Sequence, residues 1–424
     1  MTLLRSSAAL CALLTSSPTL AVAQRAQPAQ PAQPRDSAEV VRLLTSLRNA
    51  DSAVCELAGR ALTDMGGLRH GAWDVPMPMP MPMPTPMPFA GRGDAGHMDR
   101  PTHGSWWAEG SGNDSAALGA FRPALRDPSR CVRGIAARVL GRAGAAGAYD
   151  AFSALLRDAD PGLRETGALG LGELEDRRAV GALESAIKDR DPRVRAMAVW
   201  GLGEFQDAGV IEPLSRALGD DDATVRARAA WALGQIEKPA AIAPLGRALG
   251  DPSPEVRFAA IWGLAQIEDA RGVEPLARML RDSDARVRLA AAWALGEIND
   301  AGAVPRLAAL ARDPSVEVRR TALWALGEIA SATGVEPAAA GLADRDPDVR
   351  VMAAWALGEI AAASAVPHLT PALKDPDVEV RVTAAWALGQ VASSAATPAL
   401  EAALNDASSS VRRAARWALG QIKN

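Results

Sequence analysis

Residues 273–300 run VEPLARMLRDSDARVRLAAAWALGEIND. Val273, Leu276, Met279 and Leu280 recur at helical spacing, and Pro275 falls in the opening turn, where a missing N–H has no intrahelical partner to lose. The polar run Asp282-Ser283-Asp284 ends this helix. A second predicted helix follows and buries Val287, Ala291, Ala294 and Ile298, at offsets 0, 4, 7 and 11, with Leu295 flanking the same stripe. Alanine at the centre of that stripe lets neighbouring helices approach closely. In the sister turn DPSPEVR at Asp251, Ser253 is placed to cap, Pro254 takes the first helical position and Glu255 complements the helix dipole.

The same pattern repeats every 31 residues. Trp200, Trp231, Trp262, Trp293, Trp324, Trp355, Trp386 and Trp417 fall at that interval without an insertion or deletion. So do ten aspartates, from Asp127 to Asp406, each followed six residues later by an arginine, from Arg133 to Arg412. A fixed period of this length is the signature of a stacked repeat array. Ten units are expected over residues 114–424, in an all-α solenoid with a right-handed superhelical twist. Residues 38–66 repeat the two helices in degraded form, with Arg60 in the tryptophan column, and read as an N-terminal cap. The last unit replaces apolar positions by Arg413, Arg416 and Lys423, as the outer face of a terminal repeat requires.

The aspartate, the Val-Arg pair five and six residues on, and the AAWALGEI run resemble HEAT repeats of the phycobilisome-lyase-like subfamily. The resemblance covers about three quarters of the chain and implies an Asp–Arg ladder between adjacent units. Its members here are Asp189, Arg195, Asp220, Arg226, Asp251, Arg257, Asp282, Arg288, Asp313, Arg319, Asp344, Arg350, Asp375 and Arg381. It also implies a concave surface lined by second helices, as in designed proteins built from similar repeats. On a helical wheel set at Val287, the buried stripe centres near 20°, whereas Leu289, Ala290, Trp293 and Glu297 cluster around 250°, so the indoles are expected to leave the core. Glu204, Gln235, Gln266, Glu297, Glu328, Glu359, Gln390 and Gln421 occupy the rim of the groove. The alternative is that each ring packs across the neighbouring helix and fills the groove floor. A row of indoles favours partner binding. Second helices about 10 Å apart match the ~9.3 Å repeat of a polyproline II chain, so an extended peptide is the expected ligand, and a glycan is the second possibility.

The chain begins like an export signal: Arg5, an apolar stretch from Ala8 to Leu14, and Ala21-Val22-Ala23 before Gln24. Residues 1–23 are read as that signal and residues 24–37 as a linker. Leu10 before Cys11 does not fit a lipid-attachment site. No apolar run reaches the ~18 residues of a membrane helix. A soluble, periplasmic or extracellular protein is therefore expected, and of the cysteines that remain, Cys55 and Cys131 either form one disulfide or stay free. The formal charge of −4 argues against a nucleic-acid partner. A monomer is expected.

Residues 67–113 interrupt the repeats with VPMPMPMPMPTPMPFAGRGDAGHMDRPTHGSWW, in which alternating proline forbids a helix. A low-complexity spacer is the default reading. Met77, Met79, Met81, Met83, Met87, His97 and His103 are soft donors suited to Cu(I), so copper handling is the alternative function. The same strand is also a candidate ligand for the chain's own groove. The catalytic relatives by repeat type are bilin lyases and di-iron deoxyhypusine hydroxylases; the latter resemblance implies His-Glu pairs, and none of His70, His97, His103 or His368 is followed by Glu. No nucleophile elbow, phosphate loop or Cys/His quartet is present. The expectation is a non-catalytic scaffold or adaptor without a cofactor.

Overall fold

The computed structural model describes residues 37–50, 55, 58 and 114–423. The export signal, most of the linker, Arg60 and the Met-Pro insertion with its methionines and histidines lie outside them. The described residues fall into two units, one ending at Ala217 and one beginning at Leu218. No strand occurs among them.

In the first unit, α1 (Ser37–Ser46) is followed by α2 (Asp114–Ala124), α3 (Arg130–Arg142), α4 (Ala148–Leu155), α5 (Pro161–Glu173), α6 (Ala179–Ala186), α7 (Pro192–Glu204) and α8 (Ile211–Ala217). The helix α1 packs on α2, α2 on α3, and the longer helices stack α3 on α5 on α7, with α4 and α6 against α5 and α7. Val40, Leu44 and Leu47 are buried, so the degraded repeat does supply a first helix. It begins at Ser37, inside the stretch expected to be linker. Of its second helix, Cys55 and Ala58 are described, and both are helical.

The second unit contains α9 (Ala223–Gln235), α10 (Ile242–Ala248), α11 (Pro254–Ile267), α12 (Val273–Met279), α13 (Ala285–Ile298), α14 (Val304–Leu307), α15 (Val316–Ile329), α16 (Val335–Ala340), α17 (Pro347–Ile360), α18 (Val366–Ala372), α19 (Val378–Val391), α20 (Thr397–Ala403) and α21 (Ser409–Lys423). The odd-numbered helices stack in sequence from α9 to α21, and each shorter helix from α10 to α20 packs on the one that follows it. A short 3₁₀ turn precedes each of the shorter helices in this unit. The predicted stripe is buried: Val287, Ala291, Ala294 and Leu295 are at most 1% exposed. A helix with alanine on two sides can bury both against neighbours, which is why α13 has Ala290 and Ala292 buried as well. Ala290 therefore leaves the outward cluster assigned to it on the wheel.

Aspartates cap the longer helices. Asp284 Oδ1 accepts from Arg286 N at 2.8 Å, and Asp222, Asp346 and Asp377 do the same at their own helices. Ser253 departs from its expected role: its hydroxyl donates to Glu255 Oε2 at 2.6 Å and makes no capping bond. At the far ends of α11, α13, α15, α17 and α19 the chain turns out through a left-handed residue, Glu268, Asn299, Ala330, Ala361 or Ala392, with φ between 47° and 54°. Three of these are alanines, in a conformation that costs an L residue about 1–2 kcal/mol.

The ends of the array are closed by different chemistry. At the column held by Ala354 and Ala385, both fully buried against the next repeat, α21 has the exposed Arg416. At the start, Cys55 is bonded to Cys131. Cys55 stands five residues before Arg60, in the column where other repeats carry the ladder arginine, so the disulfide replaces a rung. The carboxylate that the rung would have held, Asp127, is taken instead by Arg48 at 2.9 Å.

Candidate functional site: the outward face of the second helices

The Asp–Arg columns resolve into structure. In the second unit, Arg226, Arg257, Arg288, Arg319, Arg350 and Arg381 each grip the aspartate of the next repeat, Asp251, Asp282, Asp313, Asp344, Asp375 or Asp406, through Nε and Nη2 at 2.7–3.2 Å. In the first unit Arg164 grips Asp189 likewise. Each Nη1 turns back to carbonyls of its own repeat, as Arg288 does to Asp282 O at 2.9 Å and Ser283 O at 3.3 Å. Arg195 makes the same return bond to Asp189 O, and Asp220 accepts from Asp222 N and Arg226. Burial pushes the Asp313 carboxyl up, but hydrogen bonds from Arg288 and Ser315 N, with the charges of Arg288 and Arg319, outweigh it and hold the group below the usual carboxylate range. Asp251 and Asp344 follow the same balance. A column satisfied in this way has no capacity left for a ligand.

The tryptophans correct the expectation that they leave the core. Trp200, Trp231, Trp324 and Trp386 are only 4–8% exposed, and Trp262, Trp293, Trp355 and Trp417 are half-buried. Close packing is permitted by the glycine that stands three residues after every tryptophan of the column except Trp262. A Cβ at Gly296, Gly327, Gly358 or Gly389 would lie 2.8, 2.5, 2.6 or 2.5 Å from Cζ3 of Trp324, Trp355, Trp386 or Trp417 in the following repeat. Trp324, Trp355, Trp386 and Trp417 thus pack closely against the helix that precedes them. At α9 and α11 the approach is closest, where a Cβ on Gly234 would meet Gly263 Cα at 2.4 Å and the rings of Trp231 and Trp262 stack with centroids 6.0 Å apart. Where Ala265 replaces the glycine, the next ring, Trp293, is one of the half-buried ones. The glycines were legible as a W-x-x-G spacing; their meaning was not, because it lies across the helix interface.

What remains outward is a strip of three positions on α11, α13 and α17, interrupted at α15, where Trp324 is buried and Arg320 stands in the first position. Trp262, Trp293 and Trp355 show one edge, Phe258, Leu289 and Val351 lie half-buried one turn before them, and Gln266, Glu297 and Glu359 lie one turn after. Glu328 and Gln235 are half-exposed, as is Glu204 in the first unit, and Gln390 and Gln421 are exposed. Glu297 accepts a hydrogen bond from the Trp293 side chain, four residues before it. Although its carboxylate reaches solvent, the surrounding helices partly desolvate it, and Glu328 and Glu268 add like charge, so its pKa is raised.

In the first unit the same columns are self-compensating. Arg138 and Leu169 stand where tryptophan would be. Arg138 and Arg142 converge on Glu173 at 3.6 and 2.8 Å, and Arg130 meets the buried Glu165 at 2.5 Å. Among the described residues no group of three or more His, Cys, Asp or Glu is arranged to hold a metal ion, and no helix is long and apolar enough to cross a membrane.

Comparison with known proteins agrees with this geometry. The family described as HEAT repeats matches residues 118–190, 181–253, 243–327, 304–378 and 366–424. No curated protein matches the chain. A solved structure of importin beta is similar at 15% identity over 91% of this chain and 57% of that one, with a TM-score of 0.60, which is a likeness of fold. An engineered protein is 26% identical over 72% of this chain and 99% of its own, with a TM-score of 0.44. Human deoxyhypusine hydroxylase in complex with glycerol is 26% identical over 58% of this chain and 96% of its own, with a TM-score of 0.28.

Proposed function

Because the chain belongs to the HEAT-repeat family, we propose that it is a non-catalytic, exported scaffold that binds a protein or an extended peptide along the outward face of its second helices. The observation that carries this reading is the contrast between columns. Rungs, caps and stacked rings consume their own polar and aromatic groups, whereas Phe258, Leu289 and Val351 and the indoles of Trp262, Trp293 and Trp355 are half-exposed on α11, α13 and α17, with Arg320 in the same column on α15. Half-exposed apolar side chains recurring on several repeats offer a linear ligand similar contacts along the stack. Membership of the phycobilisome-lyase-like subfamily belongs to this proposal and rests on the AAWALGEI run. Export rests on the N-terminal signal pattern, and the Cys55–Cys131 bond supports it, since such bonds persist in oxidising compartments.

The buried rings dictate the experiment. Replacing a tryptophan would unstack two repeats, so Phe258, Leu289 and Val351 are the positions to change. The full chain and its F258S/L289S/V351S variant are applied to arrays of immobilised extended peptides. Retention of a subset of peptides by the wild-type chain, lost on the triple variant, is expected. Equal retention by both proteins, or by neither, refutes a binding role for this face.

A further inference from the structure

Between α2 and α4 of the first unit, and reaching Leu140 of α3, lies a cleft of about 330 Å³. Buried Leu125, Leu140, Phe152 and Leu155 line it, together with Ala148 and Ala151 of α4. Two exposed cations, Arg122 and Arg126, line it as well, and no acidic side chain does. An apolar cleft with a few convergent polar groups is the ordinary form of a small-molecule site.

The sequence departs from its own repeat at this place. The connector from α3 to α4 reads Gly-Ala-Ala-Gly over residues 144–147, and both glycines are left-handed, at φ 57° and 72°. Each later connector has a single left-handed residue, from Glu175 to Ala392. In later connectors Asp207, Asp269 and Asp300 cap the turn by accepting from the N–H two residues on. The equivalent here is Ala145, which leaves only a methyl group along the cleft. Arg122 is out of pattern too, since its column continues with Ser153, Glu184 and Ser215.

The two guanidinium groups are not equivalent. Arg126 Nη1 meets Asp158 Oδ2 at 2.9 Å, so its charge is compensated. Arg122 Nη2 reaches from α2 to the connector and donates to Ala146 O, a neutral acceptor, and among the described residues it makes no ion pair. Its charge and its remaining N–H donors stand beside the apolar lining, in a fork geometry that suits a carboxylate.

We propose that this cleft binds a small amphipathic carboxylate, with an apolar tail of about eight carbons against Leu125, Leu140, Phe152 and Leu155 and its anionic head on Arg122. The size follows from the volume. A dry cavity of about 150 Å³ accommodates benzene, so one of about 330 Å³ admits roughly ten to thirteen heavy atoms. The site is separate from the outward face of the second helices and stands whether or not that face binds a peptide.

The test is calorimetric titration of octanoate into the full chain, beside neutral octanol and cationic octylammonium, repeated on R122Q and A151F. Arg122 is exposed, so R122Q removes the charge and leaves the core intact. Ala151 is half-buried on α4, and phenylalanine there fills the cleft. Wild type is expected to bind octanoate more tightly than octanol, and octylammonium most weakly. R122Q should bind octanoate about 3- to 5-fold more weakly, the contribution of an exposed charge pair, with octanol unchanged. A151F should weaken both by about tenfold or more. Raising ionic strength should weaken octanoate and spare octanol. No saturable binding of octanoate, or binding that A151F leaves unchanged, overturns the site. An affinity for octanoate unchanged in R122Q, or octylammonium bound as tightly as octanoate, overturns the carboxylate assignment.

Discussion

Substituting Gly327 with alanine should tell whether the tryptophan column is held by packing. The added Cβ would stand 2.5 Å from Trp355 Cζ3 and 3.1 Å from both its Cη2 and Ala356 Cα. Carbon atoms prefer about 3.5–4.0 Å, so the ring must retreat by about 1 Å or the helices α15 and α17 must part. Overpacking of this kind costs roughly 1–3 kcal/mol. Alanine in place of glycine within a helix returns about 0.8–1.0 kcal/mol. The balance is a loss of up to about 2 kcal/mol, which leaves G327A about 1–3 kcal/mol below a glycine-to-alanine change made where the Cβ is free, read as a lower urea midpoint by circular dichroism and a red shift in tryptophan emission. Gly420 is the internal control. It occupies the same column in the last repeat, where a Cβ meets nothing within 4 Å, so G420A should gain the helical increment and lose nothing. If G327A proved as stable as G420A, the rings would not be lying on the glycines and the account of the interface would fail.

Four further outcomes follow from the same geometry. Ala361 sits at φ 51°, so A361G should raise stability by about 0.5–1 kcal/mol, the αL penalty less the entropy glycine adds to the unfolded chain; a fall in the urea midpoint would count against the cap. Removing one partner of a largely buried rung, as in D313N, should cost about 3 kcal/mol in the same assay. Asp313 has a lowered pKa, so its contribution is complete above the ordinary value of 3.8 and is lost as pH falls through the folded value; D313N should accordingly show a flatter acid limb than wild type. Glu297 has the opposite sign: with its pKa raised from 4.5, the ionised form weakens the fold at neutral pH, and the penalty fades as pH falls through the folded value toward 4.5. E297Q should therefore be more stable than wild type at pH 7 and indistinguishable from it below about pH 4, and a difference that persists in acid would contradict the cause. The bond between Cys55 and Cys131 spans 76 residues, so C55S/C131S should lose up to about 4 kcal/mol from the cooperative unit containing α1 to α3, with the second unit's melting unchanged in calorimetry.

A residue pattern of period 31 was enough to read helix pairs, their turns, the buried alanine stripe and the reciprocal columns of aspartate and arginine from the amino-acid sequence, because each of these is a local relation repeated in identical form. Periodicity within one helix also placed Val287, Ala291, Ala294 and Leu295 in the core. The same wheel misplaced the tryptophans and Ala290, since a helix in a stack has neighbours on two sides and a wheel assumes one. How closely an indole approaches the helix before it depends on that helix, where the absence of a single Cβ, at Gly296, Gly327, Gly358 and Gly389, lets the ring come near. The pairing of Cys55 with Cys131, the capture of Asp127 by Arg48, and the convergence of Arg138 and Arg142 on Glu173 likewise join residues that no repeat rule associates. Chain order thus determined the brick; contact between bricks decided which side chains stay exposed, because burial is a property of surfaces brought together and not of the residues that carry them.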